Sequence, residues 1–324
     1  MTFPDRIAAL APPSIGNFGP GLDILGCAVE GAADIVVAER AVLGRGEGNV
    51  TVLDAGHSEL PTDPARHAAA IAARAVLSTI TALGVGVWDV ALRCRKRLPL
   101  AAGQGGSAAS AVAGAVAVNA LFGGPLGETE LLRCALDAEA TVAGRHLDNI
   151  APCLMGGFVL VRSLDPIDVV RLPTPASLHI VLAYPRQRLR TAEARAVLPA
   201  SVPRSTALHQ AAQVAGIVAA LFADDLPLLG RSIDDRIAEP ARVALLPGFA
   251  EAKDAALAAG ALGASISGAG PTAFAIAATA DIAERVAAAM TGAYRAHGMD
   301  ADAWVTRPGP GARIVDPRDE GLDA

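Results

Sequence analysis

The order of apolar and polar residues along the chain predicts a mixture of strands and helices. Short alternating runs, or runs rich in β-branched residues, predict strands, and apolar residues spaced by three and four predict helices. In the first half, the predicted strands are residues 35–39, 50–53, 87–94 and 157–163. The predicted helices there are residues 65–83, 107–121 and 127–143, the last followed by Gly144 as a C-cap. The turn-forming residues 44–49 predict a hairpin between the first two strands.

The second half of the chain continues this mixture. Its predicted strands are residues 178–184, 264–267 and 272–278. Its predicted helices are residues 192–197, 205–222, 225–234, 249–259 and 282–297. Because strands and helices do not alternate regularly, the pattern favours an α+β fold over a doubly wound parallel sheet.

The length of 324 residues predicts two packed domains. Three prolines and two aspartates cluster between residues 164 and 175, which indicates a boundary there. We therefore expect an N-terminal domain over residues 1–165 and a C-terminal domain over residues 166–310. The end of the chain, from residue 307, is rich in proline, glycine and charge, so residues 311–324 are expected to form a loose tail.

Composition and charge exclude several classes of function. The net charge of -6 and the aromatic content of 3% argue against a nucleic-acid-binding protein. The four cysteines are scattered without metal-ligand spacing, which suits a reducing compartment. The N-terminus has no apolar signal-peptide core, and the apolar part of the longest uncharged stretch, residues 108–122, is shorter than the roughly 20 residues of a membrane span. We expect a cytoplasmic protein that binds neither nucleic acid nor a membrane.

Three glycine-punctuated stretches stand out, at residues 13–26, 99–110 and 265–272. The middle stretch directly precedes a predicted helix, an arrangement that lets backbone N–H groups and the helix dipole hold a phosphate. It lacks the Gly-Lys-Ser/Thr of a Walker A loop, and no ribose-binding acid follows about 20 residues later, as a dinucleotide site requires. A plain turn is the alternative for any one of these stretches taken alone.

Several polar residues could complete a phosphate site. Glu139 on its helix and the Ser107 hydroxyl could hold Mg²⁺, although Glu139 could equally belong to a solvated helix face. Lys96 is one of only two lysines against 25 arginines, and it lies three residues before the middle stretch. It could act as a point charge beside phosphates or be an ordinary strand-edge charge.

Two arginines, Arg195 and Arg242, each lie shortly before a Leu-Pro pair. Arginine makes bidentate contacts with carboxylates, so the two could bind an acidic substrate; alone, each could be a surface ion-pair partner. Asn17 and Asp23 lie in the first glycine-rich stretch and favour turns for local reasons. Without a Ser-His-Asp or Cys-His set in view, the combination indicates a small-molecule phosphotransferase.

Three further segments carry a family resemblance: HLDNIAPCLMGG at residues 146–157, RTAEARAVLP at 190–199 and EPARVALLPGF at 239–249. With the three glycine-rich stretches, they identify the chain as a member of the GHMP kinase superfamily that resembles the homoserine kinases over residues 8–305. The resemblance implies a two-domain fold, with an N-terminal mixed α/β domain bearing the phosphate loop and a C-terminal ferredoxin-like α/β domain. It also implies that ATP and Mg²⁺ are used, that L-homoserine is the acceptor in a step of threonine biosynthesis, and that a homodimer is one expected assembly.

The resemblance also implies residue roles. The ATP phosphates would be held by Pro99, Gly103, Gln104, Gly105, Gly106, Ser107, Ala108, Ala109 and Ser110. Mg²⁺ would be held by Ser107 and Glu139, and the transferred phosphoryl would lie near Lys96 and Thr191. Homoserine would be held by Asn17, Asp23, Asn149, Arg195 and Arg242, and no residue is assigned as a catalytic base. Gly268 and Gly270 would support the substrate pocket.

The chain departs from the family pattern in the middle stretch. The usual Gly-Leu-Gly-Ser-Ser is replaced by Gly103-Gln104-Gly105-Gly106-Ser107, so the first serine has become glycine and the leucine glutamine. His67 stands where an asparagine near the adenine is common. Two alternatives therefore stay open: a GHMP kinase that acts on another small hydroxy acid or alcohol, and a non-catalytic ligand-binding relative.

Overall fold

A computed structural model describes residues 3–41, 47–142 and 144–318 of the chain. The strands are β1 (Arg6–Ala11), β2 (Ser14–Gly16), β3 (Leu25–Ala28), β4 (Asp34–Arg40), β5 (Val50–Asp54), β6 (Val90–Arg95), β7 (Phe158–Leu164), β8 (Ile167–Leu172), β9 (His179–Pro185), β10 (Gly263–Ile266), β11 (Ala273–Ala277), β12 (Ala301–Thr306) and β13 (Arg313–Val315). The helices are α1 (Ala68–Ala82), α2 (Gly106–Leu121), α3 (Glu128–Val142), α4 (Ile150–Met155), α5 (Thr191–Ala196), α6 (Arg204–Ala223), α7 (Leu226–Arg231), α8 (Ala238–Arg242), α9 (Phe249–Ala258) and α10 (Ala280–Ala296).

The first core lies between a five-stranded sheet, in the order β13-β1-β4-β6-β5, and helices α1, α2 and α3. Helix α2 is apolar on nearly every side and is buried on nearly every side, as such a helix must be in a globular protein. Its alanines and Gly114 allow close approach to α1. Helix α2, which directly follows the middle glycine-rich stretch, is therefore packed tightly in the centre of the N-terminal half.

The C-terminal sheet has the strand order β12-β9-β11-β10, with α9 and α10 packed on one face. Numbered from β9, this order is 4-1-3-2, which is the ferredoxin-like arrangement expected from the family resemblance. A third sheet, β2-β3-β7-β8, packs with α6 and α7 on the other face. In this third core the Phe18 ring lies 4.8 Å from the rings of both Phe158 and Phe274. These contacts join the first glycine-rich stretch to the C-terminal sheet.

Every helix and strand predicted from the sequence has a counterpart, with ends displaced by a few residues; residue 143 of the predicted helix 127–143 lies outside the described residues. The predicted hairpin between β4 and β5 is wrong. The two strands are not neighbours, because β6 lies between them, antiparallel to β4 and parallel to β5. Residues 42–46 of its turn lie outside the described residues.

The sequence analysis missed β1, β2, β3, β8, β12, β13 and the short helices α4 and α8. These segments are short, and some become regular by pairing with strands remote in the chain, as β13 does with β1 and β12 with β9. The boundary between residues 165 and 166 stays a prediction; β8 directly follows it and pairs with β7 across it. The loose tail is wrong for Arg313–Val315, which pairs with β1, whereas residues 319–324 lie outside the described residues.

We expect Gly114→Ala and Gly292→Ala to change stability in opposite directions. A Cβ at Gly114 would lie 2.6 Å from the carbonyl oxygen of Ala69 in α1, whereas a Cβ at Gly292 in α10 would have no atom within 4 Å. Overpacking against backbone costs about 1–3 kcal/mol, more than the roughly 1 kcal/mol that alanine gains in a helix interior. The free energy of unfolding in urea should therefore fall for Gly114→Ala and rise for Gly292→Ala; equal changes would contradict this packing.

Candidate active site

A cleft with a volume of about 380 Å³ contains most of the residues singled out in the sequence. From the glycine-rich stretches it is lined by Asn17, Pro99, Gly103, Gly105, Gly106, Ser107, Ser110, Gly268 and Gly270. From other segments it is lined by Lys96, Glu139, Asn149, Thr191, Arg195 and Arg242. The described residues that were predicted for the site but do not line the cleft are Asp23, Gln104, Ala108 and Ala109. Asp23 contacts a lining residue, and the other three side chains are buried beside the cleft.

The phosphate loop needs its glycines for shape. Gly103 and Gly105 have φ values of 75° and 68°, in the left-handed region that side chains disfavour. A Cβ at Gly103 would lie 2.5 Å from the carbonyl oxygen of Ser267 and 2.6 Å from that of Gly270. The loop leads directly into α2. The free N–H groups at the N-terminus of this helix therefore lie at the cleft.

The third glycine-rich stretch packs directly on this loop. The Ser267 hydroxyl donates to the carbonyl oxygen of Gly103 over 2.7 Å, and the Gly268 N–H donates to the carbonyl oxygen of Gly16 over 3.0 Å. The Gln104 side chain, where the family usually has leucine, donates to the Thr272 hydroxyl over 3.1 Å. Gln104 therefore has a definite partner and ties the loop to the C-terminal sheet.

Ser107 and Glu139 meet at the start of α2. The Ser107 hydroxyl donates to one Glu139 oxygen over 3.1 Å, and the side chain is almost fully buried, with 3% of Glu139 exposed. The other oxygen, Oε2, is buried without a hydrogen-bond partner among the described residues. Burial raises the pKa of the Glu139 carboxyl, although His146 and the Ser107 hydrogen bond act in the opposite direction. A hydroxyl beside an unsatisfied carboxylate oxygen is a donor set that fits Mg²⁺.

Lys96 forms a buried ion pair with Asp34 beneath the same helix, and the two side chains are 5% and 2% exposed. The Lys96 ammonium also donates to the carbonyl oxygen of Gly106 over 2.5 Å and to the Ser110 hydroxyl over 3.2 Å. The sequence analysis missed Asp34. An aspartate directly before the apolar run of residues 35–38 was the available signal, because a buried carboxylate needs a partner.

Asn17 and Asp23 shape the opposite side of the cleft. Both have a φ of 64°, a conformation that Asn and Asp adopt more readily than most residues. The Asn17 side chain donates to the carbonyl oxygen of Gly268 over 2.8 Å and accepts from the Asp23 N–H over 3.0 Å. Asp23 in turn forms a two-pronged ion pair with Arg195, through both guanidinium Nη atoms.

Arg242 lies deeper, with 3% exposed. Its guanidinium donates to the carbonyl oxygen of Gly268 over 2.9 Å and to that of Ala194 over 3.1 Å. Burial, with the nearby Arg195 charge, lowers the pKa of Arg242. Two guanidinium groups that repel one another at a partly apolar cleft form a site that an anion would stabilise.

His146, Asp148 and Asn149 form a buried polar corner beside this site. The His146 Nδ1 lies 3.1 Å from an Asp148 oxygen, and the other Asp148 oxygen accepts from the Asn17 N–H over 3.0 Å. Asn149 accepts from the Ser14 hydroxyl over 2.9 Å. Burial alone would lower the pKa of His146, but the Asp148 carboxylate and Glu139 raise it. Asp148 was not assigned a role from the sequence, although it lies within a segment that carried the resemblance.

Thr191 and His67 also line the cleft. Thr191 begins α5 and is half-buried in the cleft lining. His67 precedes α1 and lines the cleft; burial lowers its pKa. Together, the cleft combines a phosphate loop, a carboxylate–hydroxyl pair, and a region with both acidic and basic side chains.

Comparisons with known proteins agree with this arrangement. The GHMP kinases N terminal domain matches residues 68–157, and the GHMP kinases C terminal domain matches residues 217–296. Homoserine kinase from Chlorobaculum tepidum is 38% identical over 318 residues, 95% of this chain and 98% of that protein. The homoserine kinase of Arabidopsis thaliana is 40% identical over 274 residues, 83% of this chain and 73% of that protein.

Solved structures give the same result. The crystal structure of homoserine kinase from Cytophaga hutchinsonii matches with a TM-score of 0.90 at 38% identity, covering 97% of this chain and 99% of that one. The two-domain fold and the family expected from the sequence motifs are thereby confirmed. The chain belongs to the homoserine kinase family of the GHMP kinase superfamily.

Proposed function

We propose that this chain transfers the γ-phosphoryl group of ATP to the side-chain hydroxyl of L-homoserine and forms O-phospho-L-homoserine, a step of threonine biosynthesis. The observation that carries the proposal is the junction of two sites in one cleft. The phosphate loop and Glu139 line the same cleft as Arg195 and Arg242, and Asp23 pairs with Arg195 beside it. An amino acid carries a carboxylate and an ammonium, so it requires both signs of charge in its site.

The two arginines would bind the carboxylate of the substrate. Arg242 is held by backbone carbonyl groups, so its guanidinium is oriented before the substrate arrives. Arg195 also pairs with Asp23, so the Asp23 carboxylate would lie near the substrate ammonium. Asn17 and Asn149 supply amide groups between these charges and the phosphate loop.

In the reaction, the substrate hydroxyl oxygen forms a bond to the γ-phosphorus while the bond from that phosphorus to the bridging oxygen of ADP breaks. The hydroxyl proton passes to an oxygen of the transferred phosphoryl group or to water as the new ester forms. Because the transition state is loose, positioning and charge neutralisation supply most of the acceleration. The N-terminus of α2 and the Lys96 ammonium would supply positive potential that neutralises charge on the phosphates. Thr191 lines the same cleft. No residue is required as a strong base in this scheme.

We propose that Ser107 and Glu139 hold Mg²⁺ together with the ATP phosphates. The unpartnered Glu139 oxygen supports this role, because a buried carboxylate without a donor is costly until a cation or proton satisfies it. When bound, Mg²⁺ neutralises charge on the phosphate oxygens. Gly268 and Gly270 would support the site by packing against the phosphate loop.

We also propose a homodimer formed by α6. This helix has the length and hydropathy of a membrane span, with a mean hydropathy of 1.4, yet only 17% of its most apolar window is buried. Its exposed face carries a stripe of apolar residues at helical spacing: Leu208, Ala211, Ala212, Ala215, Ala219 and Phe222. Leu208 and Phe222 are 64% and 65% exposed.

The stripe is complementary to itself. In an antiparallel pair of α6 helices related by a two-fold axis at Ala215, Leu208 of one copy faces Phe222 of the other. Arg204 at the start of one helix then approaches Asp224 and Asp225 at the end of its partner, so the charges also match. The small residues in the middle allow the two backbones to approach closely. A second copy of the chain is therefore the occupant that this face fits.

The acceptor is tested by Mg²⁺-dependent release of ADP with L-homoserine, L-serine, L-threonine, mevalonate and galactose. We expect release with L-homoserine well above that with the other alcohols. Release with a different alcohol would retain the kinase and contradict the substrate. Binding of ATP without release across the panel would favour the non-catalytic alternative.

We expect Arg195→Gln to raise the KM for L-homoserine by about 30-fold or more, since losing one partner of a hydrogen-bonded charge pair costs about 2–5 kcal/mol. The KM for 2-aminobutane-1,4-diol, which lacks the carboxylate, should change much less. Steady-state kinetics with both alcohols measure the difference. An equal loss for the two compounds would contradict a contact with the carboxylate.

We expect Glu139→Gln to lower kcat/KM by at least about 100-fold, because even residues that only support metal ligands contribute 10–100-fold. Glu130→Gln, an exposed position on the same helix, is the matched control and should retain activity. Activity that survives in Glu139→Gln would contradict the metal role.

The pH dependence of stability provides a second readout for Glu139. Its pKa is raised above 4.5 in the folded protein, so the folded state binds more protons than the unfolded state above that pH. Stability of the protein without nucleotide should therefore fall as pH rises from about 4.5 through the raised pKa. Denaturation curves across this window should show a smaller fall for Glu139→Gln than for the unmodified chain.

We expect Ala215→Arg to convert the dimer to a monomer, because the change places two like charges at the two-fold axis. Ala288→Arg, on the exposed face of α10, is the control and should stay dimeric. Analytical ultracentrifugation gives the masses. A monomeric unmodified chain, or one that cosediments with phosphatidylcholine vesicles, would contradict this use of α6.

A further inference from the structure

The side chain that is missing at Gly106 leaves a space that Lys96 fills. A Cβ built at Gly106 would lie 2.9 Å from the Lys96 ammonium nitrogen, closer than real Cβ contacts. It would also lie 3.6 Å from Lys96 Cε and 3.7 Å from Leu98 Cβ. Gly106 has helical geometry as the first residue of α2, so conformation does not require a glycine there. The glycine instead leaves room for the ammonium, which Asp34 holds at this position.

An ammonium at this position is not stable by itself. The N-terminus of a helix carries positive potential, which disfavours a nearby cation. Asp34 offsets this potential, because its carboxylate pairs with Lys96 and also accepts from the Ser110 hydroxyl over 2.8 Å. Two backbone N–H groups, of Arg97 and Leu98, donate to its other oxygen over 3.0 and 3.1 Å. The Asp34 carboxylate is thus held from several directions, and it fixes the ammonium.

The fixed ammonium lies at the phosphate loop itself. Lys96 lines the cleft, and its Nζ donates to the carbonyl oxygen of Gly106 over 2.5 Å, at the point where the loop becomes α2. In the family pattern the position of Gly106 is a serine. In this chain the Lys96 ammonium lies in the space that a side chain at Gly106 would enter, so its charge is held next to the phosphate loop.

We propose that Asp34, Lys96 and Gly106 form one unit, in which the Lys96 ammonium places its charge beside the ATP phosphates, Asp34 is the positioning residue for that ammonium, and Gly106 is the glycine that leaves room for it. The inference rests on the proposed use of ATP but not on the identity of the acceptor. It makes Gly106 a fitted part of the nucleotide site, and it gives the buried Asp34 a function that no sequence motif indicated.

A double-mutant cycle tests whether Gly106 acts through Lys96. The variants are Gly106→Ser, Lys96→Met and the double variant, with Gly292→Ser as a matched control in an open helical position. Calorimetric titration with the ATP analogue AMP-PNP and Mg²⁺ measures affinity without any acceptor alcohol. We expect Gly106→Ser to weaken binding about tenfold or more, Gly292→Ser to leave it unchanged, and Gly106→Ser to add less than about twofold once Lys96 is methionine.

Asp34 is tested in the same way with Asp34→Asn, which keeps the shape of the side chain and removes its charge. We expect a reduced kcat and weaker nucleotide binding in the unmodified background, and little further loss in Lys96→Met. Since the chain has only Lys96 and Lys253, selective labelling of lysine with ¹³C at Cε gives two NMR signals. AMP-PNP should shift the Lys96 signal, whereas Lys253, paired with Glu239, serves as the internal reference.

The outcomes separate this inference from the proposed function. Additive losses in the cycle, or a Lys96 signal that AMP-PNP does not move, would overturn the unit even if L-homoserine is phosphorylated. A non-additive cycle with a shifted Lys96 signal supports it even if another alcohol is the acceptor. Failure of the unmodified chain to bind AMP-PNP would overturn both.

Discussion

The close backbone contact between Gly103 and residues 267–270 is the constraint on which the rest of the cleft depends. Carbonyl groups of the C-terminal sheet approach the phosphate loop so closely that no side chain fits at Gly103. Hydrogen bonds from Ser267 and Gln104 hold this contact, and Gly268 extends it to the first stretch. Residues far apart in the chain thereby form one wall, and the phosphate loop of one half lines the same cleft as Arg195 and Arg242 of the other.

Buried charge is the second organising feature. Asp34, Lys96, Glu139 and Arg242 are all nearly inaccessible, and burying such groups is unfavourable unless partners compensate. Most of them have partners within the protein: Asp34 holds Lys96, and backbone carbonyl groups hold Arg242. Glu139 is different, because one of its oxygens has none among the described residues. The arginine side of the site is therefore satisfied within the protein, whereas the carboxylate side keeps an acceptor for the Mg²⁺ that we propose there.

Prediction from the sequence succeeded where the signal was local. The apolar spacing of α1, α2, α6 and α10 was sufficient to locate these helices, and the glycine punctuation located the phosphate loop. The prediction failed where pairing between remote segments determines the order of strands in a sheet. Strand β13 near the end of the chain pairs with β1 near its start, and β6 lies between β4 and β5. A turn-rich segment between two strands does not reveal that a third strand separates them, because sheet order is set by packing of the whole layer.

The sequence by itself determined the family, the two-domain fold, the phosphate loop and the identity of most polar groups in the cleft, because each leaves a motif or a periodicity. Only the tertiary structure decided how these groups pair. It placed Asp34 beneath Lys96, gave Gln104 its partner in Thr272, and joined Asp23 to Arg195. It also placed the Lys96 ammonium in the space beside Gly106, a glycine with ordinary helical backbone conformation. These properties depend on atoms from segments remote in the chain, and distances of that kind are fixed only when the cores have packed.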